Sequence, residues 1–362
     1  MISLKFTISP ASIFYRYIRK QNPYLIAQIK NRNNLNRLKD IEVSIVIPVF
    51  NQELIIVDHL KSIIRNCTTD CEIIILNDAS TDDTLSSLKF FLSNIEIELS
   101  SFVLQISLYS FKKQVFETFC DITGFNLSTG KFIIEIQADM KIKEYGFDSK
   151  LLKNLKINQD IFLLSGRGVV SASEIKEEYN SSNGSAIASS KNLFYSIKSR
   201  IIPIKISKVA ESNISNNELI INPNPDEFLN LCRAGRLGRL IAQKPTKNLN
   251  LLYVGDSGIR GPICFEKKRY VLLGGLNYGA FFLGFDDHEI NIRAKQMYGW
   301  KSAYIFIDFD CDLDLGTTRK QRSRITSFYI WMFIIHISKQ KNSIKELDIN
   351  QIESINEVRY IN

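Results

Sequence analysis

Short apolar runs alternate with helical patterns from Val43 to Asp139, and no other feature of this chain constrains its fold as strongly. Val43–Phe50 is β-branched and apolar, carries Pro48 near its end, and reads as a buried strand. The spacing of Ile56, Leu60, Ile63 and Ile64 predicts a helix over about Glu53–Asn66, with His59 as a structural member of the pattern. Glu72–Leu76 is the next strand. It ends in Asn77–Thr84, a run of turn formers and N-caps, and a helix through Leu85, Leu88, Phe91 and Leu92 follows. A strand within Ile97–Ser107, a helix over about Lys112–Ser128 and a strand at Lys131–Gln137 complete the series, which closes on Ala138-Asp139. This order predicts an α/β fold with a mostly parallel central sheet and helices on both faces. Ligands of such sheets bind outside the carboxyl ends of the strands. The polar clusters Asn51–Glu53, Asn77–Asp83 and Asp139 all fall at those ends.

Beyond Lys150 the pattern is sparser. Ile161–Ser165 reads as a strand, residues 171–225 as long loops and short helices, and Ala303–Ile307 as a strand, with the acceptor pocket expected from variable loops over 171–260. A helix runs from about Asp287 to Tyr298 with Ile290, Ala294 and Met297 inward and Gly299 as its stop. Apolar residues make up 45% of the chain and charged residues 23%, which excludes a largely disordered protein. No run of eighteen apolar residues occurs, which argues against a simple transmembrane helix. The 6 Cys are scattered, and Cys67 and Cys71 lack a second pair, so they read as thiols in a reducing compartment rather than a zinc site. Net charge is +8, and residues 1–40 carry eight Lys and Arg against the single acid Asp40. The remainder is near neutral, which speaks against a nucleic-acid-binding body. Residues 1–40 are expected to form a solvated, partly helical basic arm, with contact to an anionic membrane surface or a partner as the alternative.

Four blocks, in order, resemble the inverting nucleotide-sugar glycosyltransferases of family 2. Pro48-Val49-Phe50-Asn51-Gln52-Glu53 is similar to the family's Pro-x-Tyr/Phe-Asn-x-Glu. Ile74–Thr84 is similar to its strand followed by Asp-Asp-Gly-Ser-x-Asp-x-Thr. Gly130–Asp139 is similar to its metal-holding Asp-x-Asp segment. Leu273–Asn277 with Phe285–Arg293 resembles its Gly-Gly and Glu-Asp segments. The resemblance implies a single large GT-A-like, Rossmann-like domain over residues 41–310. Residues 41–140 would be the nucleotide-binding half and 141–310 the acceptor half, with a helical tail over 311–362.

Transfer of a sugar from a nucleoside diphosphate passes through an oxocarbenium-like transition state, and the leaving diphosphate gathers negative charge that a divalent metal neutralises. The resemblance implies Mg²⁺ or Mn²⁺ on Asp139, with oxygen ligands. It implies Asp287 as the base for the acceptor hydroxyl and Asp286 as the group that orients the acceptor. Pro48, Phe50, Asn51, Glu53, Asp78 and Gln137 would line the nucleotide pocket. Gln137 stands where the family has the first Asp of Asp-x-Asp, and its amide can bond a ribose hydroxyl but supplies no charge. Asn77, Ala79, Asn277 and Tyr278 are further departures.

The implied activity is metal-assisted, inverting transfer from a UDP- or GDP-sugar to a sugar, lipid-linked or protein acceptor, in polysaccharide or glycan biosynthesis. The implied location is the cytoplasm, with peripheral contact at the inner membrane face as a variant. A catalytically silent GT-A-like nucleotide-binding or scaffold protein is the alternative, which the substitutions permit. Taken singly, Asp78 reads as a cap, Asp287 as an acid favoured by a helix N-terminus, and His288 as structural. Asp308, Asp310, Asp312 and Asp314 read as a solvated strand end. The apolar octet Phe328–Ile335 reads as a buried helix, with a helix on the membrane surface as the alternative.

Overall fold

The structure, a computed structural model, describes residues 20–95, 101–166, 251–255, 261–276, 286–305, 307–311 and 357–360. The expected loops at 171–250, the Asn277–Phe285 stretch and the Phe328–Ile335 octet lie outside the described residues. In chain order the elements are β1 (Tyr24–Lys30), a 3₁₀ segment (Arg32–Asp40), β2 (Val43–Val49), α1 (Ile56–Asn66), β3 (Cys71–Asn77), α2 (Thr84–Asn94), β4 (Val103–Ser110) and α3 (Glu117–Leu127). Then come β5 (Phe132–Glu135), β6 (Met140–Ile142), α4 (Phe147–Ile157), β7 (Ile161–Ser165), β8 (Leu251–Gly255), β9 (Ile263–Glu266) and α5 (Lys267–Leu272). The last are α6 (Asp286–Tyr298), β10 (Lys301–Ile305), β11 (Phe309–Cys311) and β12 (Glu357–Tyr360).

The α/β expectation is borne out. A sheet of 10 strands runs in the order β1-β4-β3-β2-β5-β9-β7-β10-β8-β12. Strands β4, β3, β2 and β5 are parallel neighbours, and β7 and β10 are parallel too. The other pairings are antiparallel: β1 with β4, β8 with β10 and β12, and β9 with both β5 and β7, between which it lies. The sheet is therefore parallel where the alternating pattern was read and mixed beyond it.

Strand alternation divides the core into two layers. Val43, Ile45, Ile47 and Val49 of β2 pack with Ile56, Leu60 and Ile63 of α1, Leu88 and Leu92 of α2, and Leu151 and Leu155 of α4. On the opposite face, Val46 of β2, with Ile74 and Leu76 of β3, packs with Cys120 and Phe125 of α3, Tyr270 of α5, and Ile290 and Ala294 of α6. A Cβ on Gly124 would stand 2.3 Å from Val46 Cγ1 and 2.7 Å from Leu76 Cδ1, so α3 rests on the sheet through a residue without a side chain.

A buried polar knot sets where β5 begins. Glu72 Oε1 accepts from Ser44 Oγ (2.6 Å), Thr129 N (2.6 Å) and Thr129 Oγ1 (2.8 Å), and Gly130 N donates to Ser44 Oγ (2.9 Å). Glu72 is 2% exposed, and its desolvation is offset by these three donors. A Cβ on Gly130 would lie 2.7 Å from the β2 backbone, so this crossing also requires glycine. Asp148, fully buried at the start of α4, does similar work for the turn before β3: it accepts from the Thr68 and Thr69 N–H groups and from Thr68 Oγ1.

Three expectations change. The segment before Ile41 is built into the fold from Tyr24 onward: β1 pairs antiparallel with β4. Arg37 Nε donates to Asp70 Oδ2 (2.8 Å), its Nη2 also bonds Asp70, and its Nη1 donates to the Ser101 carbonyl (3.0 Å). Half-buried Ile26, Ala27 and Ile29 cover the core edge, a gain that a solvated arm would forgo. Residues 1–19 of the arm lie outside the described residues. In the expected helical tail, the described residues Glu357–Tyr360 form a strand on β8. Met297, expected inward, is 55% exposed; it lies in the final turn of α6 beside Tyr298, which is exposed too. No helix among the described residues is long and apolar enough to cross a membrane.

Candidate active site

The parallel strands β3, β2 and β5 are neighbours, so their carboxyl ends share one edge. Pro48, half-buried, is the last residue but one of β2, and Phe50 and Asn51 follow the strand. Asp78 follows β3, and Gln137 and Asp139 follow β5. The structure brings this part of the expected set together.

The first two polar clusters are laced to each other. Asn51 N donates to Ser80 Oγ (3.0 Å), Asn51 Nδ2 donates to Thr81 Oγ1 (3.1 Å), and Thr81 N donates to Asn51 Oδ1 (2.8 Å). Glu53 Oε2 accepts from Asp83 N (2.8 Å), and Gln52 N donates to Thr84 Oγ1 (2.7 Å). Asp82 accepts from Glu53 N and Thr84 N. Asn51 and Glu53 thus fix the two loops to each other through backbone and side-chain bonds, and Ser80, Thr81, Asp82 and Thr84 share that work. In the sequence the last two were legible only as helix caps.

Asp78 is 3% exposed and faces the entry to α3. It accepts from Val115 N (2.6 Å) and Phe116 N (2.9 Å). Burial pushes its carboxyl up to about 7, against the opposing pull of those two donors. The next residue on α3, Glu117, accepts from Gln137 Nε2 at 2.9 Å. The start of α3 therefore joins the ends of β3 and β5, a role that no sequence pattern disclosed. Three non-glycine residues adopt left-handed backbone here: Asn51 (φ 50), Ala79 (φ 52) and Phe116 (φ 68), one after each of β2, β3 and β4. Ala79 occupies a left-handed position at which the family pattern carries glycine, a conformation costing roughly 1 kcal/mol for a residue with Cβ.

Asp139 is 7% exposed, in a turn closed by Met140 N donating to the Gln137 carbonyl (3.0 Å). His59 Nδ1 donates to the Ala138 carbonyl at 2.5 Å, and its burial holds the imidazole below its ordinary pKa. Gly261, at φ 74, lies against Met140 and Gln137, so the chain enters β9 from beside this turn.

Asp286 and Asp287 open α6, at 0% and 8% exposure. Arg293 ties this helix to the glycine pair: its Nη1 bonds the Leu273 carbonyl and its Nη2 donates to the Gly275 carbonyl (2.8 Å). Asn291 Nδ2 donates to the Asp287 carbonyl (2.7 Å), and Ser302 Oγ donates to Asn291 Oδ1 (2.7 Å), which locks the helix start to β10. Tyr270 is pushed up to about 12, first by burial and then by the charges of Asp121 and Asp286. Asp78, Asp121 and Glu117 add to burial in raising the Cys120 thiol. Asp121 of α3 and Asp286 of α6 thus both lie within electrostatic reach of Tyr270.

Among the described residues no three His, Cys, Asp or Glu side chains form a protein-only metal cage. Mg²⁺ and Mn²⁺ bind instead through one or two carboxylates plus substrate phosphates, and a single buried carboxylate at a strand end fits that arrangement.

Residues 44–102 match the family model described as Glycosyl transferase family 2. That stretch is similar to glycosyltransferase family 2. The resemblance carried by the family 2 blocks is borne out, and the matched stretch spans the first two of them. A protein of Rickettsia bellii named as an uncharacterized glycosyltransferase is 27% identical over 130 residues, which are 35% of this chain and 17% of that protein. Among solved structures, the mannosyltransferase PcManGT from Pyrobaculum calidifontis, in complex with GDP-Man and Mn²⁺, aligns with TM-score 0.43 at 14% identity, covering 83% of this chain and 62% of that one. TarS of S. aureus aligns with TM-score 0.42 at 8% identity, covering 75% of this chain and 36% of that one.

Proposed function

We propose that the protein is an inverting glycosyltransferase that moves a sugar from a UDP- or GDP-sugar to an acceptor hydroxyl. The observation that carries this reading is the convergence of Asp78, Gln137 and Asp139 on one sheet edge, inside and just beyond the family 2 region. Asp78 and the rim laced by Asn51 and Glu53 hold the nucleoside, with Pro48 and Phe50 as apolar walls. Gln137 bonds a ribose hydroxyl. Asp139 would hold the divalent metal, which when bound would offset negative charge on the diphosphate. Asp286 orients the acceptor. Asp287 removes the proton from the acceptor hydroxyl as its oxygen attacks the anomeric carbon opposite the leaving group. The bond to the diphosphate breaks as the new glycosidic bond forms, and the configuration inverts. We place the product in polysaccharide or glycan biosynthesis at the cytoplasmic side.

The test separates nucleotide binding from transfer. Thermal stability is measured against UDP, GDP and their sugars, with and without Mn²⁺ or Mg²⁺. A ligand at a hundred times its dissociation constant adds about 2.7 kcal/mol of stability. Asp139→Ala is expected to abolish the metal-dependent part of the shift. Asp287→Asn is expected to keep the shift and lose transfer by about 10²–10⁴-fold. Transfer by Asp287→Asn near the wild-type rate would remove the base assignment. Wild type unmoved by every nucleotide would favour the silent scaffold.

A further inference from the structure

Helix α1 carries a buried polar stripe that its apolar pattern conceals. His59, Ser62 and Asn66 stand at i, i+3 and i+7, hence on one face. His59 and Ser62 are each 6% exposed, and they lie beside Leu60 and Ile63 of the core. Buried polar side chains destabilise unless bonded. All three bond the backbone of one short segment, Ala138–Ile142. His59 Nδ1 donates to the Ala138 carbonyl (2.5 Å), Ile142 N donates to Ser62 Oγ (3.0 Å), and Asn66 Nδ2 donates to the Ile142 carbonyl (3.0 Å). The stripe is itself braced: Ser62 Oγ also donates to the His59 carbonyl (2.7 Å), and Asn66 Nδ2 to the Ser62 carbonyl (2.9 Å).

The segment so gripped contains Asp139. The bond from Ile136 N to the Val46 carbonyl (3.0 Å) ends the pairing of β5 with β2, and among the described residues β6 pairs with β11 alone, in a separate sheet of two strands. Between these, the backbone leaves the main sheet in a tight turn. The Ala138 carbonyl and the Asp139 N–H lie in one planar peptide. Fixing that oxygen fixes the plane that leads into the Asp139 Cα, and so narrows the directions open to its carboxylate. Ser62 and Asn66 fix the far end of the same segment.

We infer that His59 is a positioning residue for Asp139: through the Ala138 carbonyl, and with Ser62 and Asn66 as the second jaw, it sets the carboxylate for the metal and diphosphate. The inference rests on the glycosyl transfer reading above. It explains why a histidine stands on an apolar helix face, since an aliphatic residue would fill the volume but hold nothing. Partners of this kind, one shell behind a metal ligand, change metal affinity when removed.

The experiment titrates Mn²⁺ into the full chain in the presence of UDP, and separately GDP, and reads bound Mn²⁺ by electron paramagnetic resonance. Metal-free nucleotide affinity is read by calorimetry. His59→Leu is expected to weaken Mn²⁺ uptake about tenfold. Metal-free nucleotide affinity should stay within about twofold, because Asp78 and the rim are untouched. Asparagine carries its amide nitrogen where histidine carries Nδ1, so His59→Asn should recover Mn²⁺ uptake to within about threefold of wild type. Unchanged Mn²⁺ uptake in His59→Leu overturns the inference. So does an equal loss of metal-dependent and metal-free binding, or a failure of His59→Asn to rescue. If His59→Leu does not fold, Ser62→Ala loosens the other jaw and should weaken Mn²⁺ uptake by about threefold, and no change there is equally fatal. Wild type that takes up no Mn²⁺ with either nucleotide overturns the transfer reading itself.

Discussion

Asp78 shows what a single carboxylate can do at a strand end. It ties the end of β3 to the entry of α3 and keeps its proton to about pH 7. The unfolded carboxyl, with its ordinary value of 3.8, releases that proton much earlier. Between those values the folded chain holds a proton that the unfolded chain lacks, so stability falls as pH rises through the window and is level above it. The slope from this one group is at most about 1.4 kcal/mol per pH unit. Denaturant unfolding from pH 4 to pH 8 should show that decline in wild type and a flatter curve in Asp78→Asn. A matching decline in both would place the titrating group elsewhere. At this scale the sequence was informative about which residues gather at the strand ends and silent about how they are held. Asp78 and Asp139 were found because chain order and strand polarity place them. The bonds of Asn51 to Thr81 and of Gln137 to Glu117 cross between loops, and linear spacing does not record such crossings.

Elements were legible where periodicity was strong. Strand β2 and helix α1 fall where the apolar pattern puts them. Helix α3 begins at Glu117 rather than about Lys112, because Asp78 takes the N–H groups of Val115 and Phe116 and Phe116 is left-handed. Strand β5 stops at Glu135 because the Gln137 carbonyl is needed for the turn that carries Asp139. Strands β1, β6 and β9 are short or weakly alternating, and their partners lie far away in sequence. The seat of α3 can be tested directly. Gly124→Ala must push Val46 and Leu76 aside at distances that real Cβ atoms do not adopt. Overpacking of this kind costs about 1–3 kcal/mol, which outweighs the better helix propensity of alanine. Chemical denaturation should report that loss, and a stabilised variant would show that the helix can shift freely.

At the scale of the molecule, one sheet collects strands from Tyr24 to Tyr360. Its first edge is β1, which shields β4, a strand buried on both faces. A chain lacking residues 1–31 should melt at least about 1 °C lower, as loss of a covering strand costs more than about 1 kcal/mol, and should scatter light as the bare β4 edge pairs between molecules. Unchanged melting would mean that the 3₁₀ segment and the core suffice. The placement of β9 has a further consequence for how the protein is made. Strands β1 to β5 are all translated by Glu135, but the strand that closes the open side of β5 arrives only at Ile263. At about 5–20 residues per second, a ribosome needs on the order of ten seconds to cover that gap. For that interval the nascent chain exposes an unpaired apolar edge, Phe132-Ile133-Ile134, beside the segment that will hold Asp139. Synthesis, more than the finished molecule, is where this protein would most need a chaperone.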